Sequence, residues 1–191
     1  FLKARVCVCL GSGGGYVPRL MVDCVHELNE TQMYPEDTFG EVYVVDATNG
    51  FNGEVDWSDE DSFLREKFNP RFINSTTTDA FYNFFVKRDV KIDYLHIDAD
   101  HTYEGCKLDF DLYSTIMNEN GIISIHDTDR KYWENFETYD GEEHDSCTGP
   151  SEVVKEVSNK WEVFNLFDYR EKNEVLPSSG LTLLRRKNEE V

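Results

Sequence analysis

The chain is short of positive charge. Its 191 residues carry 19 Lys and Arg against 38 Asp and Glu, a net charge of −19. Nucleic acid and anionic membrane surfaces attract clustered Lys and Arg. Here the basic residues are scattered among the acids, so neither partner is expected. Long apolar runs are missing too, and none approaches the ~20 residues of a membrane span. Residues Phe1 to Val6 lack the length and order of a secretory signal, and a cytoplasmic location is expected. The chain starts without Met, almost inside its first strand, and reads as a fragment or a trimmed chain. Cysteine is sparse and odd in number: Cys7, Cys9, Cys24, Cys106 and Cys147 lack zinc-ligand spacing. Cys7 and Cys9 alternate along one strand on the same face, too poorly placed for a bridge, and read as buried hydrophobes in a reducing compartment.

What is present is ample material for a core. Thirty-nine percent of residues are hydrophobic and 14% aromatic, too apolar for a disordered chain. No repeat or low-complexity linker interrupts the sequence, so residues 1–191 read as one domain. Strand patterns at 5–10, 41–46, 71–74, 91–98, 121–127, 161–167 and 180–186 alternate with helical spacing at 18–30, 58–68, 77–89, 103–117 and 151–160. Alternation of this kind predicts an α/β, Rossmann-like three-layer sandwich with a mostly parallel seven-stranded sheet. The last two strands have little helix between them, which predicts a C-terminal antiparallel hairpin.

In such sheets ligands gather at the carboxyl ends of the strands. Those ends read Gly11, Asp46, Asn74-Ser75, Asp98 and His126-Asp127, a polar set on an apolar scaffold. The first is followed by Gly11-Ser12-Gly13-Gly14-Gly15, a strand-to-helix turn whose free N–H groups favour an electronegative ligand. Tyr16 stands where a dinucleotide fingerprint needs a third Gly or Ala, and no P-loop Gly-Lys-Ser/Thr follows. Asp46 is placed to accept the two hydroxyls of a ribose. Its distance from the glycine loop exceeds the ~20 residues of the dinucleotide pattern, and "NETQMYPEDTFGE" reads as an insertion.

The densest signal is "YLHIDADHTYEG", Tyr94 to Gly105. Strand alternation puts His96 and Asp98 on one face and Leu95 and Ile97 on the other. Asp100 is read either as sharing that face or as capping the next helix, His101 as a polar loop residue, and His96 as a buried, hydrogen-bonded histidine. "SIHDTD" on the adjacent strand brings His126 and Asp127 toward Asp98. Two carboxylates and an imidazole make a divalent-metal site, with Mg²⁺ favoured by oxygens and water, and Mn²⁺ or Fe²⁺ by a ligating His126. A hydrogen-bonded strand end without metal is the alternative.

"VCVCLGSGGGY", "VYVVD", "IDYLHIDADHTYEG" and "GIISIHDTD", in this order, resemble the class I S-adenosylmethionine-dependent methyltransferases. More narrowly, they resemble a small family with Ile-Asp-x-Asp-His-x-Tyr-Glu-Gly on the fourth strand and His-Asp-Thr after the fifth, related to metal-dependent O-methyltransferases and cephalosporin hydroxylase-like proteins. The likeness spans roughly residues 5 to 187 and implies S-adenosylmethionine as cofactor. It further implies that Gly11, Ser12, Gly13 and Gly15 wrap the methionine and ribose, and that Asp46 holds the ribose hydroxyls. Ser75 or Thr76 would lie near the adenine, and Asp98 beside the cofactor. Asp98, His126 and Asp127 match metal ligands of the metal-dependent relatives. Asp100 matches their general base, with His101 beside it as a second catalytic candidate. The implied reaction is O-methylation of a small molecule or saccharide, with residues 128–149 as the substrate loop. Two other readings stay open: a non-catalytic nucleotide-binding protein, and a hydroxylase-like relative. The sequence does not set the oligomeric state, a homodimer being one option.

Overall fold

The computed structural model describes residues 4–31, 33, 39–48, 70–129, 148–166 and 179–187. Strands β1 (Val6–Leu10), β2 (Glu41–Asp46), β3 (Arg71–Asn74), β4 (Ile92–Ile97), β5 (Met117–His126), β6 (Trp161–Leu166) and β7 (Leu181–Arg186) form one sheet. Its order is β3-β2-β1-β4-β5-β7-β6. Pairing is parallel from β3 through β5, while β7 runs antiparallel to both β5 and β6. The architecture is therefore the expected Rossmann-like sandwich with its C-terminal antiparallel pair.

Strand alternation divides the core into two layers. Val8, Leu10, Val45, Leu95, Ile97, Ile123, Ile125 and Leu184 face one side. There they meet α2 (Thr77–Ala80, continued as a π-helix Phe81–Val86), α3 (Tyr103–Tyr113, ending in a 3₁₀ turn Ser114–Ile116) and α4 (Gly149–Val157). Cys7, Cys9, Val42 and Val44 face the other side and pack on Met21, Val22 and Val25 of α1 (Tyr16–Glu30). Cys7 and Cys9 thus share a face and are free thiols, as their spacing indicated.

Two elements differ from expectation. The helix over 77–89 widens into a π-turn at Phe81, which lets Phe81 and Phe85 both meet Tyr113 edge-on at 5.3 and 5.5 Å. The helix over 103–117 stops at Ile116, and β5 begins at Met117 rather than at 121. Ile92 pairs with Met117 but Tyr94 pairs with Ile122, so polar Asn118, Glu119 and Asn120 lie in a bulge that breaks the apolar pattern. The expected helix at 58–68 and most of the substrate loop at 128–149 lie outside the described residues.

Candidate active site

β1 and β4 enter the site together. Gly11 N–H donates to the Val45 carbonyl and Asp98 N–H to the Leu10 carbonyl, each at 2.9 Å. Gly11 has φ +82°, and a Cβ there would stand 2.1 Å from the Asp98 carbonyl oxygen. The first glycine is required because β1 presses on the end of β4. Gly13 is different: at φ +45° it favours glycine by its backbone, but among the described residues a Cβ there would approach nothing nearer than the Asp98 Oδ2, at 4.0 Å. Gly15 caps the N-terminus of α1 with a left-handed backbone.

Asp46, at the end of β2, is tied to that loop. Ser12 donates to its Oδ2 from both N (2.8 Å) and Oγ (2.7 Å). Thr48 donates to Oδ1 from N (2.7 Å) and Oγ1 (2.8 Å). Burial works against the charge, but these four donors hold the carboxyl below its usual range. Two of the four are hydroxyls, one on each oxygen, in the pattern that a vicinal diol would reproduce. Ser75 and Thr76 follow β3, whose Asn74 pairs with Asp46. Ser75 N–H donates to the Asp46 carbonyl at 3.1 Å, and Thr76 caps α2 by accepting from Asp79 N–H at 3.1 Å.

The second group sits at the ends of β4 and β5. Asp98 Oδ1 lies 3.3 Å from His101 Nε2 and 3.1 Å from His126 Nδ1. Asp127 closes the square, with Oδ2 2.7 Å from His101 Nε2 and Oδ1 3.1 Å from His126 Nδ1. Neighbours on a strand point apart, so His126 and Asp127 converge only because Asp127 adopts φ +56°. Hydrogen bonding to Asp127 and then to Asp98 pushes the His101 imidazole up to about 10, despite its burial. Burial opposes protonation of His126, but Asp127 and Asp98 raise it to about 10 as well. Asp127 is brought down to about 2, its burial outweighed by His101 and His126, and Asp98 lies well below the usual carboxylate range for the same reason. At neutral pH the cluster is two carboxylates neutralised by two imidazolium ions.

Asp98, His101 and Asp127 each offer a ligand atom within 4.8 Å of the others. Two hard oxygens and one imidazole suit Mg²⁺, Mn²⁺ or Fe²⁺. The structure thus brings the sequence-derived trio Asp98, His126 and Asp127 together and adds His101. Asp100 stands apart. Its Oδ1 accepts from Thr102 N–H at 2.8 Å, and its carboxylate lies where a Cβ on Gly105 would be, 2.3 Å from Cγ. Thr102, not Asp100, caps α3. A cavity of about 480 Å³ runs beneath α1 along Val17, Met21 and Cys24 to Tyr94, His96 and His126. Of the cluster, His126 lines this cavity.

A model of a family described as a methyltransferase domain matches residues 8–128. No curated protein matches the sequence. Among solved structures, an O-methyltransferase from Bacillus cereus in complex with S-adenosylhomocysteine aligns with a TM-score of 0.63 at 14% identity, covering 96% of this chain and 74% of its own. TomG from Streptomyces achromogenes, an O-methyltransferase of tomaymycin synthesis in complex with S-adenosylmethionine, gives 0.64 at 10% identity, covering 97% and 74%. At these identities the likeness is one of fold. The family match takes in both the glycine loop and the Asp98 cluster, ending at the residue after Asp127, and the chain belongs to this methyltransferase family.

Proposed function

We propose that the chain transfers the methyl group of S-adenosylmethionine to a hydroxyl of a small molecule or saccharide. The observation that carries the reading is the double exposure of Asp98: Oδ2 faces Gly13, while Oδ1 contacts His101 and His126. One carboxylate separates the nucleoside side from the cluster that handles charge. The residues fit the cofactor. Gly13 leaves space in the loop, and Asp46 takes one hydroxyl on each oxygen, as it would take the two hydroxyls of a ribose. Gly11, Ser12, Gly13 and Gly15 would line the methionine and ribose, and Ser75 or Thr76 the adenine. These assignments follow the narrower resemblance to the family with the Ile-Asp-x-Asp-His motif.

The sulfonium is already a strong methyl donor, so the protein's share is positioning the acceptor and accepting its proton. His101 keeps its own proton through neutral pH while it lies between two carboxylates. It becomes a base only when that proton is displaced, and the ionised carboxylates of Asp98 and Asp127 are the other proton acceptors of the cluster. The metal reading fits the same atoms: Asp98, His101 and Asp127, with His126 adjacent, would hold a divalent ion. A bound ion would supply acidification of a coordinated hydroxyl. The loop 128–149 is the proposed acceptor cover.

Calorimetry with S-adenosylhomocysteine tests this, followed by transfer of labelled methyl to hydroxylated acceptors with and without Mg²⁺ or Mn²⁺. Micromolar binding that weakens about tenfold or more in Asp46→Ala is expected from loss of charge-assisted hydrogen bonds. Absence of binding, or an Asp46→Ala variant identical to the wild type, overturns the reading.

A further inference from the structure

His96 is 2% exposed, yet among the described residues its Nε2 has no hydrogen-bond partner. Such an atom is costly unless something supplies the missing contact. The ring cannot rotate to find one, because Nδ1 is engaged with Ser124 Oγ at 2.8 Å. Ser124 is fully buried, lies opposite His96 in the register of β4 and β5, and also meets the Tyr94 hydroxyl at 2.9 Å. Ser124 Oγ donates to the Leu95 carbonyl at 3.3 Å. Its lone pairs then receive the Tyr94 O–H and the His96 Nδ1–H. The tautomer assigned from this network carries a lone pair on Nε2.

That lone pair faces Asp98 Oδ2 at 3.8 Å. Two acceptors at this separation leave a gap that wants a donor with more than one N–H. A protonated amine reaches both at charge-assisted lengths of about 2.8 Å. Oδ2 is also the oxygen nearest a Cβ on Gly13, whereas Oδ1 takes the contacts to His101 and His126. The ligand-atom group among the described residues does not include His96, and two atoms alone make a poor seat for a divalent ion.

We propose that His96 Nε2 and Asp98 Oδ2 form an acceptor pair for the protonated amine of the bound ligand, with Tyr94 and Ser124 holding the histidine in the accepting tautomer. The inference rests on the proposed function, in which that ligand is S-adenosylmethionine and the amine is its α-ammonium. It gives His96 a binding role in place of a buried structural one.

The test compares S-adenosylhomocysteine with its deaminated analogue, identical except for the missing amine, by calorimetry on wild type, His96→Leu and Ser124→Ala, each checked by thermal melting. Wild type is expected to prefer the amine-bearing ligand by roughly tenfold or more, the usual scale of hydrogen bonds to a charged group. His96→Leu is expected to lose about tenfold for that ligand and less than about twofold for the analogue. Ser124→Ala keeps the ring but frees its tautomer, and shifts the same ratio in the same direction by a smaller factor. Should His96→Leu fail to melt cooperatively, the Ser124→Ala ratio decides. Equal losses for both ligands, or an unchanged ratio, overturn the proposal while leaving the methyltransferase reading intact. Failure of wild type to bind either ligand overturns both.

Discussion

Asp46 and Asp98 end two strands of the same sheet, and their surroundings are opposite. Asp46 is held by four neutral donors from Ser12 and Thr48. Asp98 is held on one oxygen by two imidazoles, and its other oxygen lies 3.8 Å from a histidine nitrogen that has no hydrogen-bond partner among the described residues. Neutral donors can be exchanged for the hydroxyls of a sugar with little change in charge, whereas imidazolium partners tie a carboxylate to protons and cations. The first environment suits recognition of a nucleoside. The second suits charge handling during a reaction.

The largest way to break this comparison is to disturb both halves at once. Gly11→Ala drives a Cβ to 2.1 Å from the Asp98 carbonyl at a φ of +82°. A loss of about 4 kcal/mol or more is expected, visible as a collapsed or absent melting transition. A variant that melts like the wild type would remove the close approach of β1 to β4 from the account.

Next in size is the effect of pH, which belongs to the Asp98 half alone. His101 and His126 are raised to about 10, so their contribution is full below the ordinary histidine value of about 6.5 and fades as pH rises through 10. Asp127 is lowered to about 2, so its contribution is full above the ordinary value near 4 and fades below it. Melting temperature is expected to be highest between about pH 4 and 6.5 and to decline toward 10. Asp127→Asn, which removes the stronger partner of both histidines, is expected to flatten the alkaline decline most, Asp98→Asn to flatten it in part, and Asp46→Ala to leave it in place. An alkaline decline unaffected when Asp98 and Asp127 are both replaced by Asn would place its cause outside the cluster.

Smaller effects mark the edges. Ser12→Ala removes one hydroxyl from Asp46 but leaves the backbone N–H, for about 1 kcal/mol of stability by denaturant titration. Its histidine titration is expected to match the wild type. Arg185→Ala breaks an exposed β6–β7 pair, Arg185 Nε to Glu162 at 2.7 Å, far from either carboxylate. Its effect is expected to stay within about 0.5 kcal/mol, with ligand affinity unchanged.

Much of this arrangement is legible in the amino-acid sequence. Period-two alternation puts Leu95 and Ile97 in one layer and His96 in the other, and strand ends single out Asp46, Asp98, His126 and Asp127. What the sequence hides depends on backbone detail. Asn118, Glu119 and Asn120 disguise the early start of β5 because a bulge tolerates polar residues that a strand core does not. The shorter of the two contacts of His101, to Asp127, depends on the left-handed backbone of Asp127, which a non-glycine sequence does not announce. Asp100 matches a general base in the motif, yet its carboxylate is committed to the turn before α3. The role inferred for His96 needs a count of partners at each ring nitrogen, with Ser124 as the only sequence trace, across the sheet.

The most direct measurement of whether Asp98 joins the two halves is the dissociation constant of S-adenosylhomocysteine in Asp98→Asn and in Asp127→Asn. Each substitution removes one of the two carboxylates that hold the histidines, but of the two it is Asp98 that faces the glycine loop. The account predicts a loss of about tenfold or more for Asp98→Asn and less than about twofold for Asp127→Asn. Equal affinities in the two variants would contradict it.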